Sequence, residues 1–271
     1  MEIFDKVINS VANINPNRVL IHSDIMKGFP VKFTNRYSFT TQHIELLTKL
    51  YNSIPIWMPT FNYNFCRGEV YSIKESPSQL GVLSEFFRKN VADWRTITPV
   101  FSIAGSGVKP GLTIQDEIDP FNENSAFHLL NNDKSLIMHY GSELKHTTLI
   151  HYVERISQRL SYRYDKVFVG TIKDENEKEY NVKLKYHVRP MGYHLDYNWE
   201  KLYYDLKANK ILLDFNEGNT SILLIKANEL IQFWCEEIEE DHFYLLDNKS
   251  KNWILPKLDK LGRSFLQSDF E

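Results

Sequence analysis

Cysteine is scarce in this chain. Cys66 and Cys235 are the two in 271 residues, and they form no Cys-x-x-Cys pair. That spacing argues against a disulfide framework and fits a reducing cytoplasm. No uninterrupted apolar run reaches the roughly 18 residues needed to span a bilayer, so membrane insertion through a helix is not expected. The opening residues, MEIFDKVINSVANINP, lack the basic-then-apolar order of a secretory signal. Charge of one sign is also missing: 35 acidic residues stand against 32 basic ones, a net −3. A balance that small gives no electrostatic reason to bind nucleic acid or an anionic membrane. Gly105 and Gly107 make a Gly-x-Gly only, with neither a P-loop lysine nor a full dinucleotide fingerprint. The nucleophile elbow Gly-x-Ser-x-Gly is absent as well. There is no low-complexity linker and no internal repeat.

What is present is a rhythm of strand, loop and helix. Residues 2–12 place Ile3, Val7, Ile8 and Val11 on one helix face. A β-prone run, 18–21, then ends at His22-Ser23-Asp24. Helices are expected at 41–51, at 78–87 with Ser78 as the cap, and at 147–160. Buried strands are expected at 54–59, 100–104 and 134–139, with a loop at 62–78. After Leu160 the pattern becomes alternating. Residues 167–171 and 180–188 flank a polar turn at 174–177, which is an antiparallel hairpin with one solvated face. Residues 198–208 and 227–240 read as helices, and 210–214 and 221–225 as a strand pair. The expected architecture is α/β, a single layered domain over residues 1–271 with a hairpin extension at about 162–190.

The long Pro-, Gly- and Ser-rich stretch within 58–107 suits a large, shaped ligand. His151 and Glu154 lie three apart, on one helix face. A carboxylate beside an imidazole fixes one tautomer and favours the protonated ring, as a general base requires. The same spacing also describes an ordinary surface ion pair. Thr147 and Thr148 are the expected caps, which puts His151 in the first turn, where the helix dipole keeps it neutral. His22, Ser23 and Asp24 are the residue types of a hydrolase triad, but consecutive residues do not converge as a triad must. They read either as a strand-end turn or as a polar ligand loop. Arg95 and Thr96, close to Ser102, could hold a phosphate or carboxylate. His139 and His146 fit no zinc spacing, so no metal is expected. Cys66 reads as a semi-buried thiol, with no base placed beside it.

Taken together, PTFNYNFCRGEVY, SPSQLGVLSEFFR, DWRTITPVFSIAGSG, FNENSAFHLL and TTLIHYVE resemble the aminoglycoside 3-N-acetyltransferase family. The resemblance runs from the His22-Ser23 loop to Tyr162-Arg163 and weakens beyond. It implies transfer of an acetyl or other short acyl group from acetyl-CoA, or another acyl-CoA, to an amine of an amino sugar. His151 is then the general base and Glu154 its orienting partner. His22, Ser23 and Asp24, and the segment carrying Arg95, Thr96 and Ser102, would approach the coenzyme. The implied fold is an α/β/α unit with a mixed central sheet. Antibiotic-modifying members usually carry Arg-Ser-x-His-Pro where this chain has Arg95-Thr96-Ile97-Thr98-Pro99. They usually carry His-Ser-Ser-Leu where it has His22-Ser23-Asp24-Ile25. These departures speak against an antibiotic substrate. The Asn62-Tyr63-Asn64-Phe65-Cys66 motif resembles members associated with surface-polysaccharide biosynthesis, which implies a nucleotide-linked amino sugar as acceptor, with an acyl carrier protein as an alternative donor. Lys183, Lys185 and Arg189 would hold the phosphates if their strand borders the cleft. The alternatives are an enzyme of antibiotic resistance and a binding protein that kept the fold without the reaction.

Overall fold

Val19, Leu20 and Ile21 are completely buried. A strand with no solvated face belongs in the middle of a sheet covered on both sides. The computed structural model, which describes residues 2–131 and 134–271, is built around that run. Its elements follow in the order α1 (Glu2–Ile14), β1 (Arg18–Ser23), α2 (Arg36–Tyr51), β2 (Ile56–Pro59), β3 (Tyr71–Ser72), α3 (Val82–Asn90), β4 (Trp94–Arg95), β5 (Ile103–Gly105) and β6 (Glu117–Ile118). Then come β7 (Ser135–Tyr140), α4 (Leu149–Ser157), β8 (Tyr164–Lys173), β9 (Glu179–Val188), α5 (Trp199–Ala208), β10 (Leu212–Glu217), β11 (Thr220–Lys226), α6 (Ala227–Glu240) and α7 (Asn248–Leu261).

The main sheet has the order β10-β11-β7-β1-β2-β5-β4. Its centre, β7-β1-β2, is parallel, while β11 and β10 on one side and β5 and β4 on the other run antiparallel to their neighbours. The sheet is therefore mixed, as expected. Strand side chains alternate between faces. Val19, Ile21, Leu136 and Met138 pack with α1, α2 and α3 through Val7, Leu47 and Phe87. Leu20 and Ile137 join the opposite core with Leu149 and Val153 of α4 and Leu230 and Trp234 of α6. Each fully buried Leu or Ile contributes roughly 1.5–3 kcal/mol. The long β8–β9 hairpin anchors a second sheet of order β3-β8-β9-β6.

Several element boundaries differ from expectation. The helix α2 begins at Arg36, capped by the Asn35 side chain, which accepts from Ser38 N at 2.9 Å. Ser78 does not cap α3. Gly81 holds the cap position with φ 108°, and Ser78 N–H donates instead to Glu85 Oε2 at 2.7 Å. The expected strand at 100–104 shrinks to β5 because Val100 has φ 67° and leaves the extended path. The loop at 62–78 contains a 3-10 turn, Tyr63–Arg67, and the short β3. No helix among the described residues is long and apolar enough to cross a membrane.

Candidate active site

The site forms where the parallel strands β1 and β7 end together. Their register pairs His22 with His139 and Ser23 with Tyr140. Beyond them the chain turns at Asp24 on one side and Gly141 on the other. Asp24 N–H donates to Tyr140 O at 2.8 Å, and the Asp24 carboxylate accepts from Met26 N at 3.1 Å. Gly141 has φ 76°, and a Cβ there would come within 2.1 Å of Asp24 O. Glycine is thus required for the two loops to meet.

A cavity of about 430 Å³ opens at this edge, lined by His22, Ser23, Asp24, Thr147, Thr148 and His151 among others. Its aromatic wall comprises Phe61, Tyr63, Phe101, Tyr186, Tyr197 and Trp199. Among the described residues, Asp24 alone puts a carboxylate on the lining, and Lys145 adds an ammonium.

His151 lies in the first turn of α4. Its Nδ1 is 3.0 Å from Glu154 Oε2. Because a carboxylate only accepts, Nδ1 carries the proton in that bond, a tautomer assigned from the network. Nε2 has no protein partner among the described residues, and the ring is 27% exposed, at the cavity. Burial lowers the pKa of His151, the Glu154 carboxylate raises it, and Arg163 lowers it again; the net shift is downward. The result is a neutral imidazole with a free Nε2 lone pair at neutral pH. The Glu154 carboxyl is fully buried. Burial alone would raise its pKa, yet Arg163 and His151 hold it down to about 2. Tyr162 donates to Glu154 Oε1 at 3.1 Å. Arg163 Nε lies 2.8 Å from Glu154 Oε2, at ion-pair distance but without the alignment of a hydrogen bond.

The caps of α4 differ from expectation. Thr148 occupies the cap position without a side-chain bond, and its carbonyl accepts from His151 N at 3.0 Å. The Thr147 hydroxyl donates to Leu144 O at 2.7 Å and meets His139 Nε2 at 2.9 Å. His139 Nδ1 reaches Ser142 Oγ at 3.0 Å, and its ring stacks on His22 at 5.1 Å. His22 is 6% exposed, and its Nε2 is buried without a partner. Burial, with a smaller contribution from His146, pushes its pKa down to about 3.

The structure thus brings His22, Ser23, Asp24, His151 and Glu154 together. It does not bring Arg95, Thr96 or Ser102 to that cavity. Arg95 donates through Nε to Thr60 Oγ1 and Ser102 Oγ, through Nη1 to the carbonyls of Ile73 and Ser76, and through Nη2 to Thr60 O. Ser102 Oγ donates to Thr60 O at 2.8 Å, and Thr96 Oγ1 accepts from Ile103 N at 3.0 Å. These internal bonds make the Arg95 guanidinium a tie between the 60, 76 and 102 loops. The basic strip is likewise displaced. Lys185 pairs with Asp165 at 3.2 Å, Arg189 donates to Leu195 O at 2.8 Å, and neither they nor Lys183 line the cavity. Cys66 is half-buried, and burial pushes its thiol up to about 11. Among the described residues no group of three or more His, Cys, Asp or Glu is placed to hold a metal ion. Arg163 and Tyr197 were not singled out as site residues by sequence reasoning. Arg163 carries a faint signal, since the stronger part of the resemblance runs to Tyr162-Arg163; Tyr197 lies in the weaker part.

A family model described as aminoglycoside 3-N-acetyltransferase matches residues 47–239, more than two thirds of the chain. Among solved structures, the apoenzyme of aminoglycoside acetyltransferase AAC(3)-IVa is 18% identical, with 90% of this chain and 91% of that chain covered and a TM-score of 0.66. The binary complex of AAC-IIIb with CoASH is 13% identical, with 88% of this chain and 96% of that chain covered and a TM-score of 0.68. The YokD protein from Bacillus subtilis is 14% identical, with 88% and 94% covered and a TM-score of 0.63. At these identities the likeness is one of fold. Comparison with curated proteins gives no match.

Proposed function

The chain belongs to the aminoglycoside 3-N-acetyltransferase family and is an acyl-CoA-dependent N-acyltransferase, and from that premise we propose that His151 is its general base and an amino sugar its acceptor. The observation that carries the first part is the His151–Glu154 pair at the cavity, with Nδ1 bound at 3.0 Å and Nε2 left free. The acceptor amine attacks the thioester carbonyl carbon. A C–N bond forms while the carbonyl electrons move onto oxygen, and the amine proton passes to His151 Nε2. Collapse restores the C=O bond and breaks the C–S bond. The departing thiolate takes a proton from the imidazolium, which returns His151 to its neutral state. No covalent enzyme intermediate is required. His22, Ser23 and Asp24, at the strand ends, are the residues proposed to meet the coenzyme. Arg95, Thr96 and Ser102 act at one remove, by holding the loops that carry Phe61 and Phe101.

The lining supports a particular acceptor class. A polycationic antibiotic calls for several carboxylates, and the lining of this cavity offers Asp24 and Lys145, the latter paired with Glu143 at 2.7 Å. Its six aromatic rings suit the apolar faces of a sugar or a nucleobase. The proposed acceptor is therefore a biosynthetic amino sugar with few amines, in nucleotide-linked form, and the donor is acetyl-CoA or another short acyl-CoA. The support is the aromatic wall and the thin negative charge, not the basic strip of β9. The test is turnover by H151A. General-base catalysis is worth about 10²–10⁴-fold, so H151A should lose that much while calorimetry still finds acyl-CoA bound. Turnover at the wild-type rate would overturn the assignment of the base.

A further inference from the structure

We infer that Arg163 and Tyr197 are positioning residues for His151, a clamp that fixes the tautomer and orientation of the imidazole from outside α4. The inference rests on His151 as base. Three groups crowd Nδ1: Glu154 Oε2 at 3.0 Å, Tyr197 hydroxyl at 3.3 Å and Arg163 Nη2 at 3.5 Å. Arg163 is 5% exposed, and each of its donor nitrogens has a different neighbour. Nε faces Glu154 at 2.8 Å, Nη1 donates to His187 O at 3.1 Å, and Nη2 donates to the Tyr197 hydroxyl at 2.6 Å. One buried cation thus holds the orienting carboxylate and the phenol beside the same ring nitrogen.

The geometry has a chemical consequence. A guanidinium only donates, so it offers nothing to Nδ1–H and leaves Glu154 as the charged acceptor. Its positive charge opposes protonation of the ring, whereas Glu154 favours it. The other groups facing His151 are Tyr162, which acts through Glu154, His187 of β9, which opposes protonation, and the apolar rings of Phe101 and Phe121. Arg163 and Glu154 therefore set the charge on His151 in opposite directions. Tyr197 adds no charge; it completes the cage at Nδ1, and its ring lines the cavity.

The test uses the intact enzyme with ¹⁵N-labelled histidine, and H151A assigns the resonance. R163M removes the charge, so the His151 titration midpoint and the acid limb of kcat/KM should both move to higher pH. R163K keeps the charge and loses the fork. Its midpoint should stay near wild type while kcat falls. Y197F should lower kcat roughly tenfold, the scale of one lost hydrogen bond, with little change in either KM. A residue that only stabilised the fold would lower the melting temperature without moving the tautomer signal or the acid limb. Should R163M not fold, R163K and Y197F decide the matter. Wild-type kcat and an unchanged ¹⁵N tautomer signature in both would overturn the clamp. A changed signature with wild-type turnover would confirm the clamp and remove His151 from the chemistry, so the two failures are distinguishable.

Discussion

His151, the proposed base, is left neutral and oriented by opposing influences. Phe101 and Phe121 pack their rings 6.4 and 5.8 Å away and help strip water from it, and Arg163 opposes a second proton. Glu154 pulls the other way. Replacing Glu154 with Gln removes the influence that raises the pKa of His151. In E154Q the acid limb of the pH–rate profile should therefore shift to lower pH. Turnover should fall less than in H151A, since Gln still offers an oxygen to Nδ1–H. A profile that overlays the wild type would end the pairing argument. The pair was legible because a spacing of three within a helix fixes proximity. Arg163 and Tyr197 were not, because they reach Nδ1 from 12 and 46 residues away and only the folded chain makes them neighbours. Arg95 is ambiguous in sequence for a related reason. An arginine among hydroxyl residues looks the same in sequence whether its donors meet a phosphate or the carbonyls of Ile73, Ser76 and Thr60.

At the level of elements, the site depends on β1 and β7 ending side by side. Gly141 makes this possible, with φ 76° and Asp24 O, Lys27 C and Gly28 N all within 3 Å of where a Cβ would stand. These are backbone atoms and do not yield as a flexible side chain would. G141A should cost at least about 2 kcal/mol, from left-handed strain and the clash together, measured by urea unfolding. It should also reduce acyl transfer in whatever protein remains folded, because the 22–28 turn must move. Wild-type stability in G141A would contradict this account of the loop junction. The central strands were readable because Val19–Leu20–Ile21 and the β7 run are apolar on both faces. The two-residue strands β4 and β6 are too short to show any period. The helix α7 escaped because it contains Pro256 and buries only Ser250 and Ile254 among its described residues. Ser78 was a plausible cap by residue type, but Gly81 breaks the path before α3 begins.

Across the whole molecule, histidines buried in the neutral state set the acid limit of stability. Burial pushes His22 to about 3 and His43 to about 4, and it holds His139 and His151 below their usual value as well. Each binds a proton in the unfolded chain near pH 6.5 but not in the native one. Stability should therefore fall as pH drops below about 6.5, by up to about 1.4 kcal/mol per pH unit for each histidine. The depressed Glu154 adds a further loss between about 4.5 and about 2. Urea midpoints at pH 7.5 and 5.5 should show the lower value at pH 5.5 with an unchanged slope. Equal midpoints would mean that these rings are not held neutral. The same global view bears on the proposed substrate class. Composition showed a chain with little net charge, and the folded cavity keeps that character, with Asp24 and Lys145 among aromatic walls. The most direct measurement is acyl transfer from acetyl-CoA to nucleotide-linked amino sugars and to aminoglycosides, side by side, with H151A as the control. The expected result is efficient turnover of nucleotide-linked sugars, with kcat/KM of about 10⁴ M⁻¹s⁻¹ or more that collapses in H151A. Turnover of aminoglycosides alone in that range, or turnover indifferent to His151, would contradict the account.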